Sequence, residues 1–149
     1  MAEEFLVRKI GNGTVIDHIP AGSGLKVAEI LGLNGSEDSY VVLANVSSSK
    51  MGKKDIVKIE NRELTKRESD KLSLIAEGAS LNIIRDSQVA EKTLLAIPDR
   101  FEEIIRCPNT NCITNSEHAS GRFHVESKHP LKIRCHYCER VFSAGEIHF

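Results

Sequence analysis

The chain has 149 residues, enough for one ordinary domain or two small ones, and its 40% hydrophobic and 28% charged residues are typical of a folded protein. The formal net charge is -1, so the positive excess that supplies most of the affinity of a generic nucleic-acid binder is missing. Every apolar run is far shorter than the roughly 20 residues that span a bilayer, and the acidic start of the chain predicts no secretory signal.

The first third of the chain predicts two extended segments and a helix. Residues 5–10 are rich in β-prone side chains, and Gly11, Asn12 and Gly13 then give a turn signal. Residues 14–19 follow as a second strand. Apolar residues recur at helical spacing across 25–31, which predicts a helix that stops at the following glycine.

The next segments predict a strand, a loop, a strand and a helix. Residues 40–46 form a β-prone run, 47–54 read as a polar loop, and 55–60 alternate as a half-buried strand. Thr65 and Glu68 form a capping box, which predicts a helix that ends at Gly78. Two more strands are predicted at residues 81–85 and 89–96.

This order of elements, β(β)-α-β-β-α-β(β), predicts an α+β sheet with two helices on one face, similar to the ferredoxin-like arrangement. The phosphate-loop, dinucleotide, serine-hydrolase and zinc-protease motifs are missing from the sequence. The composition changes near residue 100, where all four cysteines and five of the six histidines lie downstream. We therefore predict two domains, at residues 1–97 and 98–149.

The cysteines of the second domain have the spacing of a four-thiolate zinc site. Cys107 and Cys112 are separated by four residues, Cys135 and Cys138 by two, and 22 residues lie between the pairs. Two short knuckles bring four sulfurs to one ion at about 2.3 Å. Four protein ligands close the coordination sphere, which makes the predicted Zn²⁺ structural, one ion per chain, rather than catalytic.

Two other interpretations of the cysteines remain open. Disulfides are typical of exported proteins, and no export signal is visible. A redox site at Cys135 and Cys138 is the second, although such sites usually lie in a βαβ context without a second cysteine pair.

A domain of about 50 residues buries too little apolar surface to fold well alone, so it needs the metal. Short strands are predicted at residues 101–106, 121–126, 131–134 and 140–143. The result is a small β-rich zinc ribbon, a fold that does not by itself define a function.

Lysines form the densest basic cluster of the first domain, at Lys50, Lys53, Lys54 and Lys58. Lys92, on another predicted strand, could converge with Lys58 on a phosphate group. A small anionic molecule fits this cluster better than a nucleic acid, since aromatic side chains for base stacking are not interleaved. A solvated basic loop is the alternative.

Asp17 and His18 could form a catalytic pair, but neighbouring residues of a regular strand point to opposite faces. The simpler interpretation is that His18 makes a hydrogen bond at a loop. Turnover by the isolated chain would distinguish an enzyme of unknown class from a noncatalytic protein.

The combination of both domains resembles the regulatory chain of aspartate carbamoyltransferase. The similar stretches cover nearly the whole chain, lie in the same order, and comprise residues 13–21, 51–55, 58–61, 107–109, 111–113 and 135–139. Each stretch is moderately specific, and all of them in order are highly specific.

The resemblance implies that the chain is a noncatalytic regulatory subunit. It also implies that two regulatory chains form a homodimer and that they assemble with catalytic chains into a hetero-oligomer. It implies that the first domain binds the nucleoside triphosphates CTP and ATP, with UTP as a further candidate, and that the zinc domain docks on the catalytic chain. The nucleotide-binding residues it implies are Val7, Ile10, Val15, Asp17, His18, Lys54, Lys58, Asn82, Ile84, Val89 and Lys92.

We expect a cytoplasmic location, because reduced thiols are needed to hold the metal. We expect neither nucleic acid nor membrane among the partners. A zinc-ribbon nucleic-acid binder remains the competing hypothesis, and a salt-dependent shift of DNA or RNA would support it.

Overall fold

The computed structural model describes residues 10–117 and 120–149. The chain divides into two compact units, with the boundary between Ala96 and Ile97. The strand predicted at residues 5–10 lies outside the described residues, apart from Ile10.

In the residues that the structure describes, the first unit is an antiparallel sheet with two α-helices. Its elements are β1 (Gly13–Pro20), α1 (Gly24–Ile30), β2 (Tyr40–Ser48), β3 (Gly52–Glu60), α2 (Lys66–Ser73), β4 (Ser80–Arg85) and β5 (Gln88–Leu94). The order of the described strands is β2-β3-β1-β4-β5, and all neighbours are antiparallel. The predicted α+β class is confirmed, and β5 extends the ferredoxin-like order at the edge beside β4.

The polar segment 47–54 is not the loop that its composition predicts. Ser47 pairs with Lys53 and Ser48 with Gly52, so β2 and β3 form a hairpin with a short turn. Ladder hydrogen bonds satisfy the backbone of these polar residues, and this pairing outweighs their low β-propensity. The helix after the capping box also ends earlier than predicted, because regular helix stops at Ser73, before Gly78.

The core of the first unit lies between one face of the sheet and the helices. Ile16, Val57 and Leu81 come from adjacent strands and pack with Val27 of α1 and Leu72 of α2. Side chains alternate between the two faces of a strand. The residues between these core positions therefore face the opposite side of the sheet, which we call the open face.

The second unit is a smaller antiparallel sheet. Its elements are β6 (Arg100–Glu102), α3 (Ile113–Ser116), β7 (Arg122–Lys128), β8 (Leu131–Cys135) and β9 (Val141–Ser143). The described strands have the order β6-β7-β8-β9. In both units, the described residues contain no helix that is long and apolar enough to cross a membrane.

Three phenylalanines form the apolar centre of this small sheet. The ring centroids of Phe101 and Phe123 are 5.5 Å apart, and those of Phe123 and Phe142 are 5.9 Å apart. The first strand is shorter than the predicted 101–106, because Glu103 has a φ of 60° and leaves the extended conformation.

Candidate metal centre and ligand-binding sheet face

One register row crosses the whole sheet of the first unit on its open face. Lys58 pairs with Val41 on one side and with Val15 on the other, Val15 pairs with Asn82, and Asn82 pairs with Lys92. Residues in one row of a sheet share a face. Two cationic side chains from β3 and β5 therefore lie on the same face as an amide and an apolar side chain.

A bulge in β1 shapes the end of this face. The pairing of β1 with β3 shifts register between Ile16 and Ile19, and His18 has a φ of 58°, in the left-handed region. Asp17 Oδ1 accepts a hydrogen bond from the backbone N–H of His18 at 2.6 Å. His18 Nδ1 lies 3.9 Å from Asp17 Oδ1 and 3.3 Å from Ser80 Oγ.

Asp17 and His18 therefore do not point to opposite faces, as the alternation of a strand predicts. Alternation would separate Asp17 from His18, but it holds only for a regular strand. The extra residue of the bulge turns the backbone between them and brings the carboxylate and the imidazole together.

Lys54 joins the same cluster from β3. Its Nζ lies 2.9 Å from Asp17 Oδ1, and its side chain is only 11% exposed. This placement follows from the register, since Lys54 pairs with Pro20, just beyond the bulge of β1. We call Asp17, His18 and Lys54 the polar cluster; it lies beside the register row, on β1 and β3, two of the strands that the row crosses.

The apolar residues named by the resemblance lie nearer the other end of the strands. Ile10 and Ile84 are buried, whereas Val89, which pairs with Ile84, is 57% exposed on the edge strand β5. Asn82 Nδ2 donates to the carbonyl of Val15 at 3.2 Å. Val7 lies outside the described residues.

Sequence reasoning missed two polar residues of this region. Ser80 is buried beside His18, and Asp55 is a carboxylate only 2% exposed next to Lys54. The alternation of residues 55–60 placed Asp55 on a strand but carried no sign of its partners, which come from other segments of the chain.

The four cysteines of the second unit come together in space. Their Sγ atoms all lie within 4.8 Å of one another, with 3.7 Å between Cys107 and Cys138 and 3.8 Å between Cys112 and Cys135. Four sulfurs at about 2.3 Å from one ion, at the corners of a tetrahedron, lie about 3.8 Å apart. The donor set and its spacing therefore fit Zn²⁺.

The same distances exclude the disulfide interpretation. A disulfide has an S–S distance of about 2.05 Å, and all four cysteines are free. The redox pair is equally disfavoured, because the two knuckles form one cluster.

Local turns hold each knuckle. In the first, the side-chain amide of Asn115 donates to the carbonyls of Cys107 and Asn109, at 3.0 and 2.8 Å. Thr114 Oγ1 also donates to Cys112 Sγ at 3.2 Å. In the second, Glu139 has a φ of 62° and its N–H donates to the carbonyl of Cys135 at 2.9 Å.

The pKa values of the thiols indicate that thiolates in this cluster need a bound cation. Burial raises the pKa of Cys107 and Cys135. Burial also acts to raise the pKa of Cys138, but hydrogen bonds from the Arg140 backbone and the Asn109 side chain, among others, lower it to about 7. A bound cation compensates the cost of burying thiolates, because metal binding requires the deprotonated sulfur.

Both parts of the chain match known families. Residues 5–96 match the family model described as aspartate carbamoyltransferase regulatory chain, allosteric domain, and residues 99–148 match the corresponding metal binding domain. The chain is 51% identical to the aspartate carbamoyltransferase regulatory chain of Thermococcus kodakarensis over 99% of its own length and 97% of the relative's. It is 53% identical to that of Methanocaldococcus jannaschii over 95% and 94% of the two lengths.

Proposed function

The chain belongs to the family of aspartate carbamoyltransferase regulatory chains, and from this premise we propose that its first unit binds nucleoside triphosphates and controls a catalytic chain through the second unit. As a regulatory chain it is a noncatalytic subunit of an enzyme of pyrimidine biosynthesis, and it carries one structural zinc site. The nucleotide, the dimer and the docking surface belong to the proposal.

The observation that supports nucleotide binding best is that three lysines, a carboxylate and an imidazole lie on one face of the sheet. Lys58 and Lys92 supply cationic charge for the phosphates, and Lys54 can join them from the polar cluster. The carboxylate of Asp17 can accept a hydrogen bond that a ribose hydroxyl donates, and His18 lies beside it.

The base would lie against apolar residues near the other end of the strands. The side chains that would line this part of the pocket are Val7, Ile10, Val15, Ile84 and Val89, with Asn82 as a polar neighbour. CTP as inhibitor and ATP as activator, with UTP as a further ligand, are the effectors that we propose.

The second unit would dock on the catalytic chain, and two regulatory chains would pair through their first units. Zn²⁺, when bound, would offset two of the four negative charges of the thiolates and tie the knuckles together. Residues 107–112 and 135–138 then form a rigid surface, as small domains need for recognition. Because thiolate ligands require reducing conditions, we propose a cytoplasmic location.

Control follows from unequal affinity. A nucleotide shifts the activity of the catalytic chain only if it binds one quaternary state more tightly than the other, with a coupling of about 1–3 kcal/mol. A coupling of this size changes the apparent affinity for substrate by a factor of about 5 to 150.

The test combines the purified, zinc-loaded chain with catalytic trimers and measures carbamoyl transfer with and without CTP or ATP. We expect the isolated chain to be inactive and each nucleotide to shift the substrate saturation curve only in the complex. Absence of any nucleotide effect in a correctly assembled complex would overturn the proposal. A salt-dependent shift of DNA or RNA by the chain would favour the competing nucleic-acid binder.

A further inference from the structure

Asp55 is a buried carboxylate for which the proposed ligand contacts have no use. Its residue is 2% exposed, and burial of a carboxylate is costly unless hydrogen bonds replace the lost water. Three backbone N–H groups do so. Oδ2 accepts from Gly22 at 3.0 Å and from Gly24 at 2.8 Å, and Oδ1 accepts from Asn45 at 3.0 Å.

These donors come from two separate segments of the chain. Gly22 and Gly24 belong to the turn that follows β1 and begins α1. Asn45 lies in a bulge of β2, where its φ is 57° and the register with β3 shifts between Leu43 and Val46. One carboxylate of β3 therefore fixes the end of β1 and the bulge of β2 at the same level of the sheet.

Lys54 lies in β3 between these two fixed segments. Lys54 pairs with Pro20 of β1 and with Val46 of β2. Gly22 follows Pro20 by two residues and Asn45 directly precedes Val46, so Asp55 holds the backbone on both sides of the lysine. The ion pair between Lys54 and Asp17 crosses from β3 to β1 at this place, with 2.9 Å between Nζ and Oδ1.

The packing around Asp55 leaves little room for adjustment. A Cβ atom added to Gly24 would lie 2.9 Å from both the Cβ and the Oδ2 of Asp55. Contacts this short force one of the two residues to move. Glycine at position 24 thus allows the close approach on which the hydrogen bond to Asp55 depends.

We infer that Asp55 is a positioning residue of the nucleotide site. It holds the turn after β1 and the bulge of β2 in place, and this keeps the ammonium group of Lys54 beside Asp17, where it can contact the ligand. The inference rests on the proposed function and deepens it. Asp55 acts on the phosphates through Lys54 and does not contact the nucleotide itself.

A double-mutant cycle in the full-length, zinc-loaded chain tests this inference. Calorimetric titration with CTP compares the wild type, Asp55→Asn, Lys54→Met and the double variant. We expect Asp55→Asn to weaken CTP binding at least fivefold in the wild type but less than twofold in the Lys54→Met background. The salt dependence of CTP binding should fall in Asp55→Asn as it does in Lys54→Met, because one charge contact is lost in both.

A matched control is Glu68→Gln, which removes a different, partly buried carboxylate that also accepts a hydrogen bond from a backbone N–H, that of Thr65. This residue caps α2 and lies away from the polar cluster, so CTP affinity should change less than twofold. If Asp55→Asn does not fold, as judged by thermal melting, Gly24→Ala replaces it in the same cycle, with the same non-additivity expected.

The outcomes separate the two proposals. Wild-type protein that does not bind CTP would overturn the nucleotide site and the role of Asp55 with it. Wild-type binding combined with unchanged affinity in Asp55→Asn would overturn the positioning role alone. Equal losses from Asp55→Asn in both backgrounds would also overturn it, since the residue would then act independently of Lys54.

Discussion

The residues proposed to bind a ligand differ in how firmly the protein holds them. Lys54 is nearly buried and paired with Asp17, whereas Lys92 stands on the exposed edge strand β5. Lys58 is half-buried at the centre of the register row. A half-buried lysine has less water around it than an exposed one, so its contact with a phosphate is screened less.

Lys58→Ala should therefore weaken the binding of triphosphates at least tenfold, through loss of one poorly screened cation. Calorimetric titration with CTP and ATP measures the change. Lys66→Ala is the matched control, because Lys66 lies on α2, is 83% exposed and pairs with Asp70 at 2.9 Å. Equal affinity in wild type and Lys58→Ala would contradict the assignment of the pocket.

Cys112→Ser should release the regulatory chain from the catalytic trimer. Cys112 is 2% exposed and its sulfur is one of four in the cluster, so a serine leaves the ion with three thiolates and the knuckle without its anchor. Gel filtration of the mixture checks this outcome. Ser116→Ala, at the exposed end of α3, serves as the control, and an intact complex of the Cys112 variant would refute the expectation.

At the scale of elements, the start of α2 is a local structure that a short sequence motif, the capping box, specifies. Thr65 accepts a hydrogen bond from the N–H of Glu68, and Glu68 accepts one from the N–H of Thr65. Glu68 also binds Arg62, whose guanidinium reaches Asp38 at 3.0 Å and the carbonyl of Leu31 at 3.2 Å. The cap thus connects the N-terminus of one helix to the end of the other.

The stability of this cap should depend on pH. Burial acts to raise the pKa of Glu68, but hydrogen bonds from Thr65 and Arg62 together with the charge of Arg62 lower it below its usual value. A carboxyl with a depressed folded pKa stabilises fully above its unfolded pKa, about 4.3, and loses this effect as pH falls through the folded value.

Glu68→Gln should consequently lower the free energy of unfolding by about 1–2 kcal/mol at pH 7, the range of a cap that includes a charged hydrogen bond. The difference from wild type should shrink below about pH 4. Urea unfolding followed by circular dichroism across this pH range measures it. A difference that stays constant into acid would rule out the ionised carboxylate as its source.

On the scale of the whole molecule, the two units depend on different forces. The first unit encloses an apolar core between a sheet and two helices, in which Ile16, Val57 and Leu72 are completely buried. The second has a small aromatic centre and four thiols that need a cation. Structural zinc contributes roughly 10–16 kcal/mol of apparent free energy to small domains of this kind.

Removal of the metal should therefore unfold the second unit selectively. We expect a strong chelator to abolish the slow hydrogen exchange of β7 and β8 while β1 and β3 keep theirs. Hydrogen exchange read by mass spectrometry gives both results in one sample. Loss of protection in both units at the same chelator concentration would mean that the first unit also needs the metal.

The sequence by itself determined the α+β class, the capping box at Thr65 and Glu68, and the zinc site. The class and the capping box depend on periodicity and short spacing within a few residues of the chain, and the zinc site depends on two cysteine pairs that are each closely spaced. The family resemblance was confirmed by matches over almost the full length, because its motifs are spread through both units.

Only the tertiary structure decided which of these side chains meet. The bulge at His18 brings Asp17 and His18 together, the register row aligns Lys58 with Lys92, and Asp55 gathers donors from two other segments. Each depends on strand pairing across 30 residues or more, or on one left-handed residue. A local pattern carries no information about either, because pairing is fixed by the packing of the whole sheet.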